Sequence, residues 1–322
     1  MEKVLKKIVA IINPISGVGS KNEIPGIIRQ RCKEKGIALT VALTSYAGHA
    51  KELTQRAIHD HTDCVIAVGG DGTVNEVARN LIHSDVVLGI IPRGSGNGLA
   101  RELRIPFDVR SAVDVILSNH ISTIDACRAN EHIFFCTCGV GFDAVVSGDF
   151  AKEKRRGQLT YLKDIIENYL DYKPEKYELH INNNTIQEKA FLITCANASQ
   201  YGYNAFIAPS ADISDGQMDV TILSPFNVLD IGPLAVQLFT KTIDKNSKIK
   251  SFRTKEARIC RQEAGIMHID GDPVMASKDI ELSTLSSVLH VFTPSNISFA
   301  ENVQRRINEI IGQIQMKINK ST

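Results

Sequence analysis

The chain has 322 residues, 43% of them hydrophobic and 23% charged, which is material for two domains with sizeable cores. Lysine plus arginine total 37 against 36 acidic residues, a net charge of +1, so the electrostatic argument for a nucleic-acid partner falls away. Apolar runs such as Ile8 to Ile12 are far short of the ~20 residues a spanning helix needs. The N-terminus reads as a first strand rather than a signal, because its apolar run enters Asn13-Pro14. Seven scattered cysteines without a C-x-x-C pair match no zinc site; Cys136 and Cys138 are spaced to share one strand face. A reduced, cytoplasmic, soluble protein is expected.

Short Val- and Ile-rich runs at Ile8–Ile12, Ala38–Leu43, Cys64–Val68 and Val86–Ile91 suit strands buried on both faces of a parallel sheet. Helical patterns separate them. The clearest spans Thr73 to Ile82, with Val74, Val77, Ala78, Leu81 and Ile82 on one side and Thr73 and Asn75 placed to cap its start. A doubly wound α/β domain follows, with ligands expected at the carboxyl ends of its strands. Beyond Ile124 the pattern changes to short β runs: Ile133–Cys138, Tyr177–Ile181, Ala190–Ala196, Met218–Leu223, Ala257–Cys260, Ile266–Ile269 and Val288–Phe292. Turn signals separate several of them, and a mostly antiparallel sandwich is expected. The spacing predicts one helix over Leu159–Leu170 and another in the tail from Asn302 to Lys320. The expected division is 1–123 for the α/β domain, 124–294 for the sandwich, and a tail 295–322 packing back on the first domain.

Three loops carry the chemistry. Val68-Gly69-Gly70-Asp71-Gly72-Thr73-Val74-Asn75-Glu76 takes a buried strand through glycines and an acid into a helix start. Glycines let backbone approach a ligand closely, and the free N–H groups of a helix start favour phosphate. Asp71 could organise a metal ion, accept a proton, or serve only as a turn residue. A second such loop, Pro92-Arg93-Gly94-Ser95-Gly96-Asn97-Gly98, offers Ser95 and Asn97 as hydrogen-bond donors and Arg93 as positive charge. A third, Asn13-Pro14-Ile15-Ser16-Gly17, follows the first strand. Three polar, glycine-bearing loops at the ends of parallel strands make a nucleotide polyphosphate cradle. It is neither a P-loop nor a Rossmann fingerprint, and no protein-kinase motif set is present.

Gly69-Gly70-Asp71-Gly72-Thr73 with Asn75-Glu76, Asn13-Pro14, and Pro92 to Asn97 resemble the diacylglycerol kinase catalytic-domain family, which includes bacterial soluble lipid kinases and sphingosine and ceramide kinases. The likeness continues through Gly139-Val140-Gly141-Phe142-Asp143-Ala144, Ala208-Pro209, Asp215-Gly216 and Asp270-Gly271-Asp272, in the family's order. The resemblance implies an NAD kinase/phosphofructokinase-like doubly wound domain, a C-terminal β-sandwich, ATP with Mg²⁺, and an active site between the two halves. It implies nucleotide contacts from Asn13, Pro14, Ser16, Gly17, Thr44, Gly70, Gly72, Thr73, Asn75, Glu76 and Ser95. The family's catalytic Glu is matched by Asp272, one methylene shorter, which keeps a carboxylate but shortens its reach. Asp71 is the other candidate base, or a metal or network partner. Asp212, Asp215 and Gln217 resemble the family's structural Mg²⁺ site; an acidic surface turn is the plain alternative. Asp143 is placed to contact a substrate headgroup.

Lys152 to Arg156, ahead of the Leu159–Leu170 helix, and Ile231 to Lys250 combine apolar and basic residues that would suit an anionic membrane surface. The other reading for each is a core-facing helix with a solvated basic end. The expected function is an ATP-dependent kinase acting on a membrane-lipid hydroxyl of the diacylglycerol or sphingoid-base/ceramide type, with peripheral membrane association. The form of the Gly94–Asn97 loop leans toward the sphingosine and ceramide kinases. A homodimer is left open. An NAD kinase-like enzyme for a soluble metabolite and a non-catalytic nucleotide-binding regulator are the alternatives.

Overall fold

The computed structural model describes residues 4–15, 23–152, 169 and 171–295. The first half winds as expected. Strands β1 (Lys7–Ile12), β2 (Ala38–Leu43), β3 (Cys64–Gly69) and β4 (Val87–Pro92) pair in parallel in the order β2-β1-β3-β4. Helices α1 (Ile24–Glu34), α2 (His49–His59), α3 (Asp71–Leu81), α4 (Gly98–Glu102) and α5 (Val109–Leu117) connect or follow them. All six residues of β3 and of β4 are buried, the signature of strands covered on both faces. β2 alternates between half-buried and exposed positions, as an edge strand does.

The chain then runs through β5 (Ile121–Ala129), β6 (His132–Phe134), β7 (Thr137–Gly141), α6 (Phe142–Lys152), β8 (Glu175–Ile181), β9 (Asn184–Ala190), β10 (Leu192–Ala196), β11 (Met218–Leu223), α7 (Ile231–Phe239), β12 (Ile249–Thr254), β13 (Glu256–Arg261), β14 (Gly265–Ile269), β15 (Asp272–Ala276) and β16 (Asp279–Phe292). An antiparallel sheet forms in the order β12-β11-β10-β7-β14-β15. It faces β8, β13 and β16, and Leu179, Ile193, Val220, Ile259, Met267 and Ile280 fill the space between the two sheets.

The two halves share a sheet. β16 pairs antiparallel with β13 and β5 and, near its end, parallel with β4, where Val291 lies opposite Leu88. The expected Val288–Phe292 strand is the end of this longer element, and it joins the first domain's sheet. Between Leu285 and Leu289 the register shifts, and Ser287 sits at φ 55°. The fully buried Asp125 of β5 pins that kink. Its Oδ1 accepts from Ser287 N at 2.6 Å and its Oδ2 from Gly216 N at 2.6 Å.

Other departures have local causes. The expected Ile133–Cys138 strand is broken into β6 and β7, because the Asp270 carboxylate takes the N–H groups of Phe135, Cys136 and Thr137. The break ends the strand alternation, so Cys136 faces the first domain's core and Cys138 the core between the sheets. Helix α3 starts at Asp71 after Gly70, with no side-chain cap; Thr73 and Asn75 do not cap it. Ile231–Lys250 resolves into α7, a 3₁₀ turn at Ile243–Lys245, and the start of β12. The Leu159–Leu170 helix (apart from Tyr169), the basic run after Lys152 and the tail from 296 lie outside the described residues.

Asp125→Ala leaves the partly buried N–H groups of Gly216 and Ser287 without this acceptor, each costing up to about 1–3 kcal/mol. A loss of roughly 2–5 kcal/mol in urea unfolding is expected, and a loss below 1 kcal/mol would show that Asp125 does not hold the kink.

Candidate active site

Because β1, β3 and β4 run parallel, their carboxyl ends place Asn13, Gly70 and Arg93 on one edge. The first turns of α3 organise everything around them. Asn13 Nδ2 donates to Thr73 Oγ1 at 3.1 Å, and the Asn13 Oδ1 accepts from Ile15 N. Glu76 Oε1 accepts from Gly48 N at 3.0 Å, which ties the loop after β2 to α3. Arg93 N donates to Gly69 O at 2.7 Å. Asp71 accepts from Asn97 N at 2.8 Å and Gly98 N at 2.6 Å. Burial pushes the Asp71 carboxyl above the usual carboxylate range, and the N–H groups of Gly98 and Asn97 pull it back down.

The two glycine loops touch backbone to backbone. A Cβ on Gly94 would stand 2.5 Å from Gly70 Cα, so glycine is required there for close approach. Asn97, expected to offer its amide to a ligand, instead braces its own loop. It sits at φ 50°, its Oδ1 accepts from Gly94 N at 2.9 Å, and its Nδ2 donates to Gly94 O at 2.8 Å. Arg101 closes the back of this loop, with Nε on Gly96 O at 2.8 Å and its guanidinium 4.6 Å from the Phe107 ring centre.

A phosphate-bearing ligand fits this edge. Gly72 opens onto free space, Ser95 and Thr44 are half-buried in the loops after β4 and β2, and the Asn75 Nδ2 is buried without a hydrogen-bond partner among the described residues. Pro14 is exposed at the loop's rim; Ser16 and Gly17 lie outside the described residues.

The second half supplies the opposing wall. In the turn Asp270-Gly271-Asp272 only the last carboxylate is at the surface. Asp270 is spent on the three backbone N–H groups at the β6–β7 break. Burial raises the pKa of its carboxyl, opposed by those bonds and by the Arg79 charge from α3. Cys136 lies at the seam: its sulfur would be 3.5 Å from a Cβ on Gly98, and burial together with the charges of Asp270 and Asp71 pushes its thiol well up. Asp272 begins β15 in an exposed position.

Asp143 sits between these walls at the start of α6 and is only 6% exposed. Its Oδ2 accepts from Thr194 Oγ1 at 2.7 Å and Tyr201 OH at 3.0 Å, and lies 3.1 Å from His268 Nε2. Gly271 N points at His268 Nδ1 at 3.4 Å, which leaves Nε2 to carry the proton toward Asp143. No Cβ fits on Gly139, since it would stand 2.3 Å from Asp143 Oδ2. The other oxygen, Oδ1, is buried with no hydrogen-bond partner among the described residues. Such an oxygen keeps unused acceptor capacity. Thr194, Tyr201, His268 and Arg101 were not legible as site residues, because none stands in a glycine-rich motif.

Asp212, Asp215 and Gln217 form a turn away from this cluster. Asp212 Oδ1 accepts from Ser214 N and Oγ, and Asp215 Oδ1 accepts from Gln217 N at 3.0 Å. The Arg253 guanidinium lies 3.5 Å from Asp215 Oδ2, so positive charge is already supplied there. Among the described residues no group of three or more His, Cys, Asp or Glu side chains is arranged around a metal. The turn offers two carboxylates, both already engaged in hydrogen bonds, and no step is routed through a cation there.

Asp71→Ala removes the acceptor for two loop amides, bonds worth about 1.5–3 kcal/mol each when the partner is charged. Hydrogen exchange at the Asn97 and Gly98 amides should accelerate while β3 and β4 stay protected. Unchanged exchange at those two amides would sink the bridging role.

Comparison with known proteins agrees with this geometry. Residues 7–129 match the diacylglycerol kinase catalytic domain, and residues 136–293 match the YegS C-terminal NAD kinase beta sandwich-like domain. A diacylglycerol kinase of Mycobacterium tuberculosis is 28% identical over 301 residues, spanning 89% of this chain and 95% of that protein. The crystal structure of a diacylglycerol kinase from Bacillus anthracis superposes with a TM-score of 0.71 at 19% identity, covering 91% of this chain and 98% of that one. An NAD kinase from Archaeoglobus fulgidus, solved with ATP, shares the fold at a TM-score of 0.50 and 12% identity, over 89% and 93% of the two chains. The chain belongs to the diacylglycerol kinase catalytic-domain family of lipid kinases, and it is a kinase.

Proposed function

We propose that the protein transfers the γ-phosphoryl group of ATP to a hydroxyl of a membrane lipid, of the diacylglycerol or sphingoid-base/ceramide type, giving a lipid phosphate and ADP. The observation that carries this reading is the buried Asp143 Oδ1 without a partner, set between the glycine loops and the Asp272 turn. A lipid headgroup donating to Asp143 would hold its reactive hydroxyl between phosphate donor and base.

In this scheme the loops at Asn13, Gly70–Asn75 and Ser95 hold the nucleotide phosphates, and Mg²⁺ enters with ATP as part of the substrate. Asp272, exposed at the mouth, accepts the proton of the lipid hydroxyl. The hydroxyl oxygen bonds to the γ-phosphorus as the bond to the β–γ bridging oxygen breaks, and ADP leaves with that electron pair. Phosphoryl transfer depends chiefly on positioning and charge, so no covalent intermediate on the protein is required. Asp71, with an oxygen on each of two loop amides, fixes the cradle rather than moving a proton.

The substrate would be met at a membrane surface, because a lipid acceptor resides in one; among the described residues no helix is long and apolar enough to cross a membrane. All seven cysteines are free thiols, which supports a reducing, cytoplasmic setting.

The test is transfer of label from γ-labelled ATP, with Mg²⁺, to diacylglycerol, sphingoid base, ceramide or NAD in mixed micelles. Label in one lipid is expected; label in NAD alone would overturn the lipid assignment. Asp272→Asn should lower kcat by about 10²–10⁴-fold, the usual contribution of a general base, with ATP binding retained. Unchanged turnover would remove Asp272 from that role.

A further inference from the structure

Helix α7 has no place in the chemistry, yet its composition is unusual for where it lies. Its nine residues, IGPLAVQLF, include no charge. Leu234 is buried, while Val236 is 63% and Phe239 41% exposed. The 3₁₀ turn just before it, Val228–Asp230, exposes Val228 at 61% and Leu229 at 86%. A helix apolar on every side is normally buried, and contiguous apolar surface marks a contact. The described residues leave this outer side uncovered.

Two observations say what covers it. Around this face four lysines (241, 245, 248 and 250) stand against three carboxylates, Asp230, Asp244 and the Glu188 that pairs with Lys250, an excess of one positive charge. Lys248 is paired with Asp230 at 3.5 Å and Lys250 with Glu188, whereas the Lys241 Nζ is held 4.1 Å over the Phe206 ring, at the end of the helix. An apolar patch with a net-positive border is complementary to an anionic, apolar-cored surface. The inner side of α7 also belongs to the same apolar cluster as Phe142, the neighbour of Asp143; Leu234 and Phe191 lie in it, and Phe226 and Leu238 pack against it. The patch is therefore continuous, through its own packing, with the apolar cluster that holds Phe142 beside Asp143.

We infer that the face formed by Val228, Leu229, Val236 and Phe239, with Lys241 and Lys245 at its border, is the surface by which the protein docks on an anionic phospholipid bilayer. The inference rests on the lipid-kinase reading for its purpose and stands on its own geometry for its place.

The full-length protein and Leu229→Ser/Val236→Ser should be sedimented with vesicles of phosphatidylcholine alone and of equal parts phosphatidylcholine and phosphatidylglycerol. The unaltered protein is expected to pellet with the anionic vesicles and at least ten-fold less with the neutral ones. The double variant should lose at least ten-fold of that partition at an unchanged unfolding midpoint. A second variant, Lys241→Gln/Lys245→Gln, should weaken partition only into anionic vesicles. Equal pelleting of wild type and Leu229→Ser/Val236→Ser, or none by wild type, overturns the assignment. So does a wild-type dimer in sedimentation velocity that the Leu229→Ser/Val236→Ser variant converts to monomer, since a second copy then covers the face. Activity on a short-chain lipid dispersed below its micellar concentration should be unaffected by these variants. Absence of any lipid phosphorylation alongside intact vesicle binding would count against the kinase reading and leave the docking face standing.

Discussion

The Asp71 carboxylate is the interaction on which the rest of the site depends. It lies in the first turn of α3, buried against the loop that follows β4, and its two oxygens are divided between the N–H groups of Asn97 and Gly98. Those two hydrogen bonds draw one βα loop onto another until Gly70 and Gly94 touch through their backbones. Side chains at either position would force the loops apart, which is why glycine and acid occur together. The neighbouring bonds, Asn13 to Thr73 and Gly48 to Glu76, recruit the loops after β1 and β2 to the same helix. Four strand ends are thereby fixed to the first two turns of one helix, by hydrogen bonds rather than by many charged side chains.

The sandwich is coupled to that cradle through a small number of buried polar groups. Tyr201 places its carbonyl near Gly98, 3.3 Å from where a Cβ would stand, and its hydroxyl on Asp143. His268 links Asp143 to the backbone of the Asp272 turn. Asp143 thus touches both walls of the cleft, by one tyrosine on the donor side and one histidine on the acceptor side. Gly202, Tyr203 and Asn204 all have positive φ, so the loop beyond Tyr201 is held in a conformation that L residues rarely adopt. Such strain persists only where surrounding contacts over-determine it, and here Arg101 reaches Asn204 and the ring of Tyr203.

The α/β half was largely legible, because β3 and β4 are apolar throughout and α3 has a clean helical stripe. Burial on both faces of a parallel sheet leaves that mark directly in the residue pattern. The glycine loops were legible for a related reason: close backbone approach demands residues without side chains. What escaped the pattern depends on long-range partners. Nothing local in Ile133–Cys138 shows that Asp270, more than 130 residues on, will break the run by claiming three amides. Asn97 looked like a ligand donor, yet its left-handed backbone turns the amide inward onto Gly94. Likewise, Asp125 sits in an ordinary β run, and its role becomes visible only once the kink in β16 is in place. Thr194, Tyr201 and His268 gain their meaning from a carboxylate on another element, and spacing along the chain cannot announce that.

Four aspartates of this cleft show how environment assigns role to one chemical group. Asp71 and Asp270 are buried and satisfied by backbone N–H groups, so burial raises their pKa while the amides fix them in place. They build. Asp143 is equally buried but satisfied by side chains on one oxygen alone, which leaves the other as an unmet acceptor. It recognises. Asp272 follows a left-handed Asp-Gly pair that carries the chain out of the core, and it emerges exposed at the first position of β15. A shorter carboxylate than glutamate suffices only if the backbone brings it closer. The turn that carries Asp272 is anchored through Asp270 to β7 and through His268 to Asp143. The two carboxylates flanking Gly271 thus stand in opposite environments, one anchored on three backbone amides and the other at the surface.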